Sequence, residues 1–247
     1  MSWIGYGLRR GILTTRYPLR PDAMPPSYRG EVEALLAGIE AQRIGADACL
    51  SGAIRPAEAR AGIDRQRCFQ CGECARRAPE AFRLTSEFAL AEVAGEPEET
   101  RTLLRRRMES LGRSVHLRHI DVGSDGSEEQ ELQAIFNPFY DVNRLGIFLT
   151  ATPRHADILI VSGVVTDPMV EPLRRTYEAM PEPRLVIALG TAACSGSIFY
   201  NGPTVVGPCS KVLPVDVGIP GAPPSPLTIL HGLWVALGRL DGRPAAA

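Results

Sequence analysis

Long apolar runs are missing from this sequence. Nowhere do about 18 apolar residues follow one another, which excludes an ordinary transmembrane helix. An apolar leader is missing as well. Arg9-Arg10 is an export-like pair, but Gly11 to Pro18 is not a hydrophobic stretch, so the chain is expected to be mature and cytoplasmic. No excess of one charge is present. The 27 basic and 28 acidic residues leave a net charge of −1, without the strong field that draws a chain to nucleic acid. Lysine is nearly absent; Lys211 is alone among the basic residues, and codon bias explains that at least as well as function. Histidine is sparse. His116, His119, His155 and His231 form no metal-ligand spacing and no triad, so they read as structural side chains with satisfied hydrogen bonds. Ser195 stands in no G-x-S-x-G elbow, which removes a hydrolase reading. No internal repeat is found.

What remains is a chain of 247 residues, 45% apolar, enough for one or two domains with ordinary cores. Its six cysteines are clustered rather than spread. In a chain of this size that favours a metal or cluster role over a disulfide framework.

Residues 1–30 read as an extended arm. Proline at 18, 21, 25 and 26 opposes a helix, and five arginines face one acid, Asp22. Trp3, Tyr6, Tyr17 and Tyr28 would give such an arm contact area on a partner. Residues 31–44 read as a helix, because Val32, Leu35, Leu36 and Ile39 fall at helical spacing and Gly45 can stop it. Residues 96–112 read as a polar helical connector, with Glu98 and Glu99 early and Arg105 to Arg107 late, as the helix dipole favours. From residue 113 the pattern becomes α/β. Strands are expected at 115–122, 146–150, 158–161 and 185–189, with helices at about 128–136 and 168–179 between them. A last helix follows Ser225-Pro226, with Leu227, Leu230, Trp234 and Leu237 on one stripe.

Cys68-Phe-Gln-Cys71-Gly-Glu-Cys74 is a C-x2-C-x2-C run, able to wrap three corners of one cubane. The bacterial ferredoxin run adds a fourth cysteine before a proline, for the other cluster; here Ala78 precedes Pro79. Cys49 has the place of the last cysteine of an earlier run, whose first three would fall at Ile39, Gln42 and Gly45. One cluster's ligand positions, Ile39, Gln42, Gly45 and Ala78, are therefore all lost. The other's, Cys49, Cys68, Cys71 and Cys74, are all kept. Random decay would not respect that division, so one 4Fe-4S cluster is expected on these four thiols. A structural zinc site and unliganded cysteines are the alternatives.

Residues 1–95 resemble the ferredoxin-like subunits of respiratory complex I and of energy-converting nickel–iron hydrogenases. Gly7-Leu8-Arg9-Arg10-Gly11-Ile12 and Thr14-Thr15-Arg16-Tyr17-Pro18 carry the likeness of the arm. Residues 113–240 resemble the complex I 20 kDa subunit and the small subunit of group 4 hydrogenases. Arg118-His119-Ile120-Asp121-Val122-Gly123-Ser124, Asn137-Pro138-Phe139-Tyr140-Asp141-Val142 and Pro220-Gly221-Ala222-Pro223-Pro224 carry that likeness, among others. The resemblance implies an N-terminal ferredoxin-like α+β domain over 31–95 and a flavodoxin-like parallel-sheet domain over 113–247. It also implies that a cluster was lost from the second domain, because its four ligand positions correspond to Asp125, Glu128, Ala192 and Ala222. Cys194 and Cys209 are offset from these and read as small buried cysteines; a rearranged site of Asp125, Glu128, Cys194 and Cys209 is the competing idea.

Two further features are weighed. The loop Gly190 to Gly196 follows a strand but fits no dinucleotide or P-loop spacing. Asp125, Glu128, Glu129 and Glu131 read as solvated acids at a helix start. The chain is thus expected to be an electron-transfer subunit without a catalytic site of its own. Its partners would be a hydrogenase- or complex I-like large subunit, membrane subunits and a redox partner protein. It would lie on the inner face of the cell membrane through those partners. The alternative is an assembly subunit whose cluster only staples a small domain.

Overall fold

The computed structural model describes residues 3–20, 22–93, 97–109 and 114–244. Pro21, residue 96 and the expected end of the connector at 110–112 lie outside them. Helix α1 spans Trp3–Arg10 and buries none of its side chains. This corrects the extended reading of the arm: the first proline is Pro18, so nothing breaks a helix before Gly11, whose φ of 70° ends it. Beyond Gly11 the arm lies along the chain's own body. The Thr15 amide donates to the Phe139 carbonyl at 2.8 Å. Tyr17 is buried edge-on to Phe88, ring centroids 5.4 Å apart. Tyr28 shares a 3.0 Å hydrogen bond with Ser225. Tyr17 and Tyr28 therefore contact this chain, whereas Trp3 and Tyr6 stay exposed.

The helix read at 31–44 is also corrected. Val32–Ala34 is strand β1, and helix α2 runs later, over Ile39–Asp47. Val32, Glu33 and Ala34 pair antiparallel with Leu84, Arg83 and Phe82. That pairing over-rides the local helical spacing, and the turn at Gly38 then starts α2. Strands β2 (Ile54–Arg55) and β3 (Gly62–Ile63) pair antiparallel, helix α3 covers Glu73–Arg77, and β4 is Phe82–Leu84. The core here is small: Val32, Ile54 and Phe82 with Ala61, Cys74, Ala78 and Ala81.

Strand β5 (Glu92–Val93) leaves this unit and joins the sheet of the second half. Helix α4 (Pro97–Met108) buries Leu104 and Met108 in the main core and ties Arg107 to Asp216 at 2.6 Å. Then follow β6 (Val115–Asp121), α5 (Ser127–Ala134), β7 (Ile147–Leu149), β8 (Ile158–Ser162) and β9 (Val165–Thr166). After them come α6 (Val170–Glu178), β10 (Leu185–Leu189), α7 (Gly190–Ser195), β11 (Val205–Gly207), β12 (Val217–Ile219), α8 (Pro226–Ala236) and β13 (Arg243–Pro244). The strands and helices expected from 115 onward form within a residue or two of their expected limits. The main sheet is mixed and has seven strands, in the order β13-β5-β12-β10-β8-β6-β7. Its five parallel strands, numbered along the chain, lie in the order 2-1-3-4-5, the flavodoxin-like arrangement. β8 and β10 are buried at every position, which is why they read as unbroken apolar runs. α8 is buried on all sides rather than along one stripe, because α4 and α5 pack against it. Among the described residues no helix is long and apolar enough to cross a membrane.

Candidate metal centre

Cys49 sits in the turn that closes α2. Its amide donates to the Ala46 carbonyl at 3.0 Å, and Gly52, at φ 63°, folds the chain back so that the Ala53 amide points at Cys49 Sγ, 3.4 Å away. The Cys68 amide donates to the Arg65 carbonyl at 3.1 Å. Gln70, left-handed at φ 57°, aims its amide at Cys68 Sγ, 3.4 Å away. Gly72, at φ 75°, lets the chain enter α3, where Cys74 lies in the first turn; a Cβ on Gly72 would come 2.5 Å from Leu84 Cδ1.

Cys49, Cys68, Cys71 and Cys74 line one cavity, walled by Val32, Ile54 and Ile63. The free volume between them is about 20 Å³, room for roughly one water, and Cys71 is exposed at its edge. Burial, then repulsion from the other three thiols, pushes the Cys68 thiol up to about 12. Burial pushes Cys74 up to about 11. Any metal seated here must displace thiol protons. Among the described residues no three His, Cys, Asp or Glu side chains stand close enough to share a single ion. The donor set is four thiols with two backbone N–H groups aimed at sulfur, which suits a cluster that spreads its ligands over several irons.

Of the four positions of the first lost set, Gly45, Gln42 and Ala78 are packed shut, whereas Ile39 is exposed. The Phe82 ring lies where a Cβ on Gly45 would be. The Gln42 side chain is buried, donating to the Ala37 carbonyl at 2.8 Å and accepting from the Ala57 amide at 2.9 Å. Ala78 is wholly buried in the small core.

The second lost set behaves differently. Asp125, Glu128, Ala192 and Ala222 all line one open cleft of about 490 Å³. It lies beyond the carboxyl ends of β6 and β8, where the strand order reverses and open α/β sheets bind ligands. Phe69, from the loop between Cys68 and Cys71, reaches into its wall. Helix α5 starts at this cleft with Gly126 as its cap and no capping side chain. The acids read as solvated caps are in fact divided. Asp125 accepts from Ser127 Oγ at 2.6 Å, and bonds from Ser127 hold its carboxyl below the usual range. Glu128 is only 4% exposed, and burial raises its pKa. Glu129 accepts from Ser124 Oγ at 2.9 Å and from Ser162 Oγ, which lies 2.8 Å from His119 Nε2. Burial lowers the pKa of His119 against the opposing pull of Glu129.

Cys194 does not face that cleft. Its thiol donates to the Ala188 carbonyl at 3.4 Å and lines a separate cavity with Gln66 and Glu92. Cys209 is fully buried among apolar side chains. Asp125, Glu128, Cys194 and Cys209 therefore do not form one set. Gly190, at φ 84°, gives room to a carboxylate: a Cβ there would lie 2.5 Å from Glu128 Oε1.

Sequence reasoning missed the seam between the halves. Thr191 Oγ1 donates to the Cys68 carbonyl at 3.3 Å, and the Arg67 guanidinium lies over the Tyr200 ring. Glu31 binds Arg65 and Arg243, each at 2.6 Å. No local spacing signals any of these pairs.

Residues 126–236 match the family model described as NADH ubiquinone oxidoreductase, 20 kDa subunit. The chain is 43% identical over 130 residues to a probable membrane-bound hydrogenase subunit, mbhJ, of Pyrococcus furiosus, a stretch covering 53% of this chain and 78% of that one. The chain belongs to the NADH ubiquinone oxidoreductase 20 kDa subunit family. Formate hydrogenlyase subunit 7 of Escherichia coli is another relative, 39% identical over 134 residues, 54% of this chain and 52% of that one. Among solved structures, one of a membrane-bound sulfane sulfur reductase, an archaeal respiratory membrane complex, aligns at a TM-score of 0.45 and 26% identity, covering 57% of this chain and 79% of that one. The part of the 20 kDa family model that is matched carries Glu128, Ala192 and Ala222 of the open cleft.

Proposed function

We propose that this chain is an electron-transfer subunit carrying one 4Fe-4S cluster on Cys49, Cys68, Cys71 and Cys74, within a membrane-associated complex related to hydrogenases and complex I. One observation carries the reading: the four retained cysteines, 25 positions apart from first to last, line a single cavity, while three positions of the lost partner set, Gly45, Gln42 and Ala78, are tightly packed. A bound cluster would supply one-electron transfer. The chain's own part is to hold it. Gly52, Gln70 and Gly72 shape the loops, and the Ala53 and Gln70 amides offset charge on Cys49 and Cys68. The second half, with its cleft and the exposed Ile198, Phe199 and Tyr200 beside it, would dock a large subunit, and the membrane subunits would hold the assembly on the inner face of the cell membrane.

A second reading is an assembly role with a structural cluster. The small core of the first unit favours it, since the cluster beside the cysteines holds just three large buried apolar side chains, Val32, Ile54 and Phe82, among the described residues.

The test is iron and acid-labile sulfide analysis of the anaerobically purified chain, with redox titration in the native complex. About four irons and four sulfides per chain are expected, lost in Cys49→Ala and kept in Cys194→Ala. Stoichiometric zinc without sulfide would overturn the cluster. A cluster that never changes oxidation state during turnover would favour the assembly role.

A further inference from the structure

Helix α1 has an apolar face that nothing in this chain covers. At about 100° per residue, Trp3, Gly7, Ile4 and Leu8 fall on one arc, with Arg9 opposite it. Tyr6 and Arg10 flank the arc, joined by a hydrogen bond of 3.0 Å from Arg10 Nε to Tyr6 Oη. Trp3 is 83% exposed and Leu8 81%, and the apolar surface continues past the helix through Ile12 and Leu13, exposed at 76% and 63%. A helix of eight residues is marginal in water by itself and gains stability when its apolar face is covered.

Charge says what covers it. Arg9, Arg10, Arg16 and Arg20 are all exposed, and no acid precedes Asp22, although the whole chain has a net charge of −1. The basic charge and the apolar arc thus share one short segment. Its base is fixed: the Thr15 amide is bound by the Phe139 carbonyl, Arg144 Nη2 donates to the Thr15 carbonyl at 2.5 Å, and Tyr17 is buried. The helix is therefore held out from the body at a defined place.

We propose that residues 3–20 bind the surface of an anionic lipid bilayer directly. The arc of Trp3, Ile4 and Leu8 lies at the boundary of headgroups and acyl chains, and the arginines pair with lipid phosphates. Trp3 takes the interfacial position that tryptophan favours. This goes beyond attachment through partner subunits, and it does not depend on the cluster.

The test is flotation of the full chain with vesicles of phosphatidylcholine alone and of phosphatidylcholine with phosphatidylglycerol. Trp3 emission is read in parallel; the other tryptophan, Trp234, is 7% exposed and serves as an internal constant. The chain should float with the anionic vesicles only, Trp3 emission should shift to the blue, and added salt should weaken both. Ile4→Glu with Leu8→Glu should cut binding at least about tenfold without changing the far-ultraviolet spectrum of the body, since both side chains are exposed. A chain that stays with the unbound fraction, or a double variant that floats as well as the parent, overturns the proposal. So does a Trp3 shift that appears only when a partner subunit is added, which would make the helix a protein-docking element.

Discussion

Thr191 Oγ1 donates to the carbonyl of Cys68 across the seam between the two halves, at 3.3 Å, and accepts from the Gly221 amide at 3.2 Å. Thr191 is completely buried, so both of its partners depend on it. One hydroxyl thus ties a candidate ligand loop to the rim of the open cleft. Thr191→Val keeps the shape and removes both bonds. It should cost about 1–3 kcal/mol in urea unfolding and speed amide exchange around Cys68 to Gln70. Unchanged exchange there would show that the seam is held by other contacts.

Glu92 is 1% exposed in β5, and among the described residues neither of its carboxylate oxygens has a hydrogen-bond partner; Arg65 Nη1 is 3.6 Å away. Burial raises its pKa, while Gln66 and Arg65 pull the other way. A carboxyl raised in the folded state stabilises the fold below its unfolded pKa and loses that contribution as pH rises through the folded value. The Glu92 contribution to thermal stability should therefore fall on going from acidic to mildly alkaline pH. Glu92→Gln should flatten that slope and gain about 1–3 kcal/mol at the alkaline end. An unaltered slope would assign the pH dependence to another group.

His231 Nδ1 and Tyr17 Oη share a buried hydrogen bond of 3.0 Å. Burial pushes the imidazole down to about 4, against the pull of Glu87. A depressed histidine stabilises the fold above its unfolded value near 6.5, and that contribution is lost as pH falls from about 6.5 toward 4. The loss should be on the order of 3 kcal/mol. Tyr17→Phe leaves the ring nitrogen without its partner and should cost about 1–3 kcal/mol at neutral pH. Urea titrations at pH 7 and pH 4 check both values, and equal stability of parent and variant at pH 7 would show that the arm is not anchored through this pair.

Gly190 combines a φ of 84° with the close approach of Glu128 Oε1. Gly190→Ala should cost about 1–2 kcal/mol from the backbone alone and more from the contact. Adding Glu128→Ala should return the contact part, so the double variant should lose less than the two single losses added together. Strict additivity in a thermal series would mean that the two residues do not touch.

The second half was the more legible in sequence. Ile158–Ser162 and Leu185–Leu189 are central parallel strands buried at every position, so their own residues announce them. Val32–Ala34 misled because its helical spacing was real, yet the partner that makes it a strand is Phe82–Leu84, far along the chain. The prolines that oppose a helix in the arm begin only at Pro18, so they put no constraint on residues 3–10, where the helix forms.

The sequence by itself brought Cys49, Cys68, Cys71 and Cys74 forward as a candidate set, because cysteine spacing is local chemistry written in the chain. It also determined the parallel-sheet half, because burial on both faces demands apolar runs. Only the tertiary structure decided how the positions outside that candidate set are packed. Close packing let Phe82 fill the space beside Gly45, whereas the loops that follow β6 and β8, at the reversal of strand order, leave an open cleft lined by Asp125, Glu128, Ala192 and Ala222.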